Sequence, residues 1–250
     1  MLKVINHQLY SGNRIRELQL RRPPVNAFDI DLLQRLHSGI EQAVEDGIGA
    51  IVVSAHGASF SAGMDVKLSV NMNREKISEL FQALGDVTLA VGKSPIPVAF
   101  AINGNCLGAG AVFSLFADFR IMSRQASFGI TEVRGGMTLG KHVFAALSRI
   151  LGPHRAQEFI MEAKVIQAER ALELGIVDRL EANHLLVSRA LAWCDRVLKL
   201  PSKAMLETRS LCREDLHEVL AYFEEKNQKA RVDDWFDSKL NTTITKVLKT

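Results

Sequence analysis

Three stretches carry residues that could do chemistry. In SFGITEVRGG, residues 127–136, one carboxylate, Glu132, stands between an apolar run and a glycine pair. Such a group either pairs on the surface with Arg134 or serves as a base at the edge of an apolar pocket. In FSAGMDVK, residues 60–67, Ala62 and Gly63 are small enough for a ligand to approach the main chain closely, and Asp65 suits a helix N-terminus. The stretch is thus a capped strand-to-helix turn, a ligand loop, or both. In INGNCLGAGAVFSLFAD, residues 102–118, a strand ending at Asn103-Gly104 is followed by Gly108-Ala109-Gly110 and an apolar helix. The glycines lack the GxGxxG spacing of a dinucleotide site. They offer either tight helix packing or a helix N-terminus whose N–H groups face a cavity, able to stabilise negative charge developing on an oxygen. Backbone donors from two separate loops and a lone carboxylate suit acid–base chemistry beside a carbonyl. The donors would hold an enolate oxygen while the carboxylate moves the α-proton.

The surrounding elements are of mixed kind. RIRELQL alternates from Arg14 to Leu20 as a half-buried strand does. FDIDLLQRLHSGIEQAVEDG carries a helical stripe through Leu32, Leu33, Leu36, Ile40, Ala43 and Val44, closed by Gly47. AIVVSA reads as a buried strand, and Pro95 and Pro97 forbid a helix start before the strand in PIPVAFAING. FRIM and GIVDRL read as two more strands. From about Asn183 the pattern is all helix, with Pro201 placed as a first helical residue. The chain is therefore expected to be α/β, with residues 1–182 forming a mixed core and 183–250 a helical part. Trp235 and Phe236 fall on a mostly polar helix, where an exposed pair would be odd; they suit a subunit contact or the far wall of a pocket.

Composition narrows the function. Of the 250 residues 47% are hydrophobic and 24% charged, the formal net charge is +3, and aromatics make up 6%. No lysine or arginine block of five occurs, so a nucleic-acid groove is not expected. Cys106, Cys194 and Cys212 show no CxxC spacing, which argues against a disulfide framework or zinc site and for a reducing compartment. The longest apolar window, CLGAGAVFSLFA, is too short to span a bilayer, and MLKVINHQLYSGNR lacks a signal-peptide apolar core. A cytoplasmic location is the expectation. Asp118 and Arg120 are expected to form a structural pair, and Cys106 to be a small buried filler.

Taken in order, the motifs resemble the crotonase superfamily, the enoyl-CoA hydratase/isomerase fold. FSAGMDVK resembles that family's first oxyanion loop, AINGNCLGAGAVFSLFADFRI its second loop, buried helix and following strand, and FGITEVRGGM its catalytic segment. RAQEFIMEAKVIQAERALELGIVDRL resembles its later helices, and RRPPVNAFD its substrate-side strand. The resemblance covers roughly residues 14–180. It implies a spiral of β-β-α units with a helical C-terminal part for trimerisation. It puts the oxyanion N–H groups on Met64 and Ala109 and the base on Glu132, with Thr131 beside it. Coenzyme A would lie along Val25 to Ala27 and along Ala62, Gly63, Met64, Asp65 and Val66. The implied partner is an acyl-CoA thioester, with no nucleic acid, membrane or metal, and no cofactor beyond the coenzyme A carried by the substrate. The implied assembly is a homotrimer or a hexamer, as a dimer of trimers.

Departures from the family pattern indicate the reaction. Family hydratases keep a second glutamate three positions after the second oxyanion residue; here that position is Val112, which can neither orient nor deprotonate water. The single carboxylate resembles the enoyl-CoA isomerase branch, where one glutamate shuttles a proton between C2 and C4. Ala109 stands where glycine is usual and keeps the N–H. TLGKHVF replaces the small-residue run after the glutamate, so Lys141 and His142 could reach the acyl pocket. Isomerisation of 3-enoyl-CoA to 2-enoyl-CoA is expected, with hydration, hydrolysis or decarboxylation on the same scaffold as alternatives. A non-catalytic acyl-CoA or RNA binding protein is the reading from a different class, opposed by Glu132 and by the weak charge.

Overall fold

The structure, a computed structural model, describes residues 1–225 and 229–236. It begins with an antiparallel pair, β1 (Leu2–Gln8) and β2 (Arg14–Leu20); the second is buried almost throughout rather than on one face as expected, because Arg16 pairs with Asp46, and Glu17 meets His7 and accepts from Ser54. A loop containing a cis Pro23–Pro24 bond leads to α1 (Ile30–Glu45), where the Asp29 carboxylate accepts from the Leu32 N–H and Leu32, Leu33, Leu36, Ile40 and Ala43 are buried. The segment RRPPVNAFD, expected as a strand, is this loop; only Phe28 joins a bridge, to Met64. Two consecutive prolines remove the N–H groups that a ladder needs.

Three β-β-α turns follow. The first is β3 (Ala50–Ala55), β4 (Ser59–Ser61), α2 (Val66–Ser69) and α3 (Arg74–Gly92). The second is β5 (Val98–Ile102), β6 (Asn105–Leu107) and α4 (Ala109–Leu115). The third is β7 (Phe119–Ser123), β8 (Ser127–Gly129), a 3-10 turn over Glu132–Gly135, and α5 (Lys141–Leu151). In each turn the first strand joins a large sheet and the second a small one. After α6 (Pro153–Met161), β9 (Val165–Gln167), α7 (Ala168–Glu173) and β10 (Arg179–Glu181) complete the sheets, in the orders β1-β2-β3-β5-β7-β10 and β4-β6-β8-β9. Strand β10 holds only the end of the GIVDRL segment, because Gly175 turns the chain at φ +74° before it.

The described part of the remainder is helical, as expected: α8 (Leu186–Leu198), α9 (Ser202–Leu211), α10 (Glu214–Glu225) and α11 (Lys229–Trp235); residues 237–250 of the expected helical part lie outside the described residues. Pro201 caps α9 rather than opening it. Parallel strands covered on both faces read as continuous apolar runs, which is why AIVVSA and VAFAI lack alternation. On one face Ile15, Val52, Ala101 and Ile121 pack against Leu186, Ala190 and Cys194 of α8, with Phe119 stacked on Trp193 at 4.8 Å. The other face meets the main core, which reaches through Phe60, Phe100 and Phe128 to Leu220 and Trp235. No helix among the described residues is long and apolar enough to cross a membrane.

Candidate active site

Strands β4, β6 and β8 are parallel neighbours, so the residues following each emerge on the same side of the small sheet. Those residues are Ala62-Gly63-Met64, Gly108-Ala109 and Ile130-Thr131-Glu132. Three stretches separated by about forty-five and twenty residues in the sequence are brought together by one repeated turn.

The first loop is held from behind. The Phe28 N–H donates to the Gly63 carbonyl at 2.8 Å and the Asp65 N–H to the Phe28 carbonyl at 2.9 Å. Those two bonds take the neighbours of Met64 and turn the Met64 N–H to the opposite side of the bridge. The Ala62 N–H donates to the Val25 carbonyl at 3.0 Å, which ties the 25–27 segment to this loop. Asp65 caps α2 by accepting from the Leu68 N–H at 3.0 Å, and its other oxygen pairs with Arg22 at 2.7 Å. The cap reading of Asp65 is thus observed, and both its oxygens are engaged. Val66 and Ala62 border the cavity through the same turn.

The second loop touches the first. Gly63 has φ +86°, and a methyl group there would stand 3.2 Å from the Ala109 nitrogen and 3.1 Å from the Leu107 carbonyl oxygen. Glycine at 63 is therefore required twice, for its backbone and for this approach. Gly108 has φ +53° and ψ −128°, a conformation open to glycine, and it sets Ala109 as the first residue of α4. The Gly108 N–H is taken by the Gly129 carbonyl at 2.9 Å, whereas the Ala109 N–H belongs to the first turn, which has no intrahelical acceptor. The amides of Met64 and Ala109 thus sit on two loops in contact.

Glu132 completes the group. A methyl on Gly108 would lie 3.6 Å from Glu132 Oε1 and 3.8 Å from Thr131 Oγ1, so both side chains lean over the second loop. Glu132 Oε2 is shielded from solvent, while Arg134 is exposed. The carboxylate turns inward, not outward toward Arg134.

All three loops border one cavity of about 370 Å³, together with Val112 and Phe113 of α4 and Phe81 and Leu84 of α3. Val112 is 7% exposed and faces this space. Two further side chains reach the cavity: His142, which the sequence put within reach of the acyl pocket, and Asp234, which it did not. His142, in the first turn of α5, is buried, with its ring 3.9 Å from that of Phe223 and 6.2 Å from that of Phe116. Asp234, from α11, brings a second carboxylate, exposed at the cavity's edge. Nothing in the local sequence around Asp234 signals this, since only the path of α11 brings it there. Lys141 instead places its ammonium 5.1 Å over the Tyr222 ring.

The expected Asp118–Arg120 pair does not form. Asp118 accepts from Arg209 at 2.8 and 2.9 Å and from Arg213 at 3.0 Å, whereas Arg120 donates to the Ser114 and Ala117 carbonyls and faces Asp178 at 3.6 Å. Asp118 lies just before β7 and Arg120 within it, and each side chain takes its partners from a different part of the fold.

The sequence model of the enoyl-CoA hydratase/isomerase family matches residues 11–239. A probable enoyl-CoA hydratase, EchA17 of Mycobacterium tuberculosis, is 30% identical over 194 residues, 77% of this chain and 74% of that protein. The peroxisomal bifunctional enzyme of Homo sapiens is 32% identical over 208 residues, covering 83% of this chain and 27% of that longer protein. The fold superposes on human mitochondrial delta3-delta2-enoyl-CoA isomerase with a TM-score of 0.90 at 20% identity, over 98% of this chain and 96% of the other. With the family model spanning residues 11–239, the chain belongs to the enoyl-CoA hydratase/isomerase family.

Proposed function

We propose that the protein isomerises 3-enoyl-CoA to 2-enoyl-CoA, with Glu132 as the proton shuttle. The observation that carries this is the pairing of Glu132, leaning over the Gly108 loop, with an aliphatic Val112 in the cavity wall. In this reading the thioester oxygen sits between the N–H groups of Met64 and Ala109. Glu132 takes a proton from C2, the electrons of that bond delocalise into the thioester as a dienolate, and the same carboxyl returns the proton at C4. The double bond moves from C3–C4 to C2–C3 with no net gain or loss of atoms. Each oxyanion donor contributes about 2.7–4 kcal/mol to lowering such a barrier. Thr131 borders the base, and coenzyme A runs along Val25 to Ala27 and Ala62 to Val66.

Two observations favour hydration instead: Asp234 gives the cavity a second carboxylate, and EchA17 is named a probable hydratase. Purified protein assayed side by side with 3-enoyl-CoA and 2-enoyl-CoA separates the two. Isomerisation should exceed hydration by at least tenfold, and the reverse order would reject the shuttle. We further propose a trimer or a dimer of trimers with residues 183–250 in the contacts. Sedimentation should give three or six times the 27.7 kDa of the chain; a monomer rules this out.

A further inference from the structure

We propose that Trp235 is the stop that limits the length of the acyl chain the cavity takes. This rests on the reading of the cavity as an acyl-CoA site.

The loops bearing Met64, Ala109 and Glu132 come from the small sheet, whereas another part of the wall comes from α3 and α11. Phe81 and Leu84, three residues apart on α3, line the cavity together with Trp235, which packs against Phe81. The indole is 1% exposed and meets the Phe81 ring edge-on, with centroids 6.0 Å apart and planes at 80°. It lines the cavity from a helix that takes no part in the three β-β-α turns. Helix α11 is fastened to α3 at Arg74, whose guanidinium pairs with Asp233 and stands 5.2 Å over the Phe236 ring. Val232, buried one turn earlier, anchors the same face. A rigid aromatic side chain fixed on both sides yields less than the thin, mobile methylene chain it would meet. The chain therefore stops there.

Saturated acyl-CoA esters test this without any turnover. Titration calorimetry would be run with the butanoyl, hexanoyl, octanoyl, decanoyl, dodecanoyl and palmitoyl esters. Each newly buried methylene should lower Kd about fourfold, and in the wild type this gain should end within the series. In Trp235→Ala the gain should continue for at least two more methylenes, raising the ratio of palmitoyl to butanoyl affinity at least tenfold. Leu84→Phe adds bulk at the same wall without emptying the core, and should end the gain earlier. Equal weakening of every ester in Trp235→Ala would mean that the indole only supports the fold, and overturns the proposal. If circular dichroism shows Trp235→Ala unfolded, the decision passes to Leu84→Phe, where an unmoved end point overturns it. Failure of the wild type to bind any of the esters would instead reject the acyl-CoA reading beneath it.

Discussion

Glu132 shows how little of a site's chemistry lies in the identity of one residue. In the sequence it stands two positions from an arginine and suits a surface pair. In the structure its Oε1 lies beside Gly108 and its Oε2 is shielded. Glu132→Gln keeps the shape and removes the base. Turnover should fall below detection while the Kd for an acyl-CoA ester changes less than about tenfold, or about 1.4 kcal/mol. Retained turnover would move the base elsewhere, with His142 the first group to test. Val112 provides the complementary experiment. Because its side chain borders the cavity at 7% exposure, Val112→Glu puts a carboxylate into an apolar wall, which costs several kcal/mol unless the group protonates or finds a partner. A lower Tm should come with a raised ratio of hydration to isomerisation. A variant unchanged in both would show that the position has no contact with the reacting carbons. The two loops stood out in the sequence because backbone donors need small residues at fixed places, and Glu132 as a lone carboxylate beside them, whereas Val112 was singled out only through the family resemblance. Asp234 was placed by no local pattern, and for Trp235 the sequence left a subunit contact and a pocket wall open, since both positions depend on where α11 docks.

At the scale of elements, the amphipathic helices were legible because burial imposes a period on them, as in α1, and the longer strands because they are runs rich in β-branched and apolar residues. Strands β4, β6, β8 and β9 span three residues each, fewer than two repeats of the strand period, and left no signal. Ion pairing between layers was equally invisible. Asp118 fastens α9 to the sheet, holding Arg209 and Arg213 and accepting from the Val98 N–H at 2.8 Å, with all three charged side chains nearly buried. Asp118→Ala strands two buried cations and should cost about 3–5 kcal/mol in chemical denaturation. A loss under 1 kcal/mol would show the cluster to be solvated. His217 sits beside this cluster. Its partial burial, and then the charges of Arg213, Arg209 and Lys93, hold its pKa below the ordinary histidine value of 6.5. The unfolded chain therefore binds a proton that the folded one resists, so this contribution is intact above pH 6.5 and declines as pH falls below it. Tm should drop on acidification through that range, and His217→Gln should flatten the drop. An identical profile in the variant would assign the acid sensitivity to other groups.

At the scale of the molecule, the large sheet joins the three β-β-α turns to the helical remainder. Its inner face forms the main core, and its outer face packs against α8 through Ile15, Val52, Ile121 and Cys194. The three cysteines sample these layers. Cys106 lies fully buried in β6 within the main core, Cys194 is buried in α8 on the outer face, and Cys212 is exposed after α9. Burial pushes the Cys106 thiol up and the Cys194 thiol up to about 12. Only thiolate reacts with an alkylating agent, so both buried groups are silenced by access and by protonation together. In native buffer one equivalent of iodoacetamide should be taken up promptly, at Cys212, and peptide mapping should find the other two unmodified. Slower labelling then reports opening. The outer-face core is built from sheet and helix jointly, with Phe119 on Trp193, so α8 has little to hold it once the sheet is gone and the sheet loses a face once α8 leaves. Cys106 and Cys194 should therefore become labelled at the same rate, with the same dependence on denaturant. If Cys194 reacts first at low denaturant while Cys106 stays protected, residues 183–250 open as a unit of their own. The division near residue 182 would then be a boundary in stability as well as in sequence pattern.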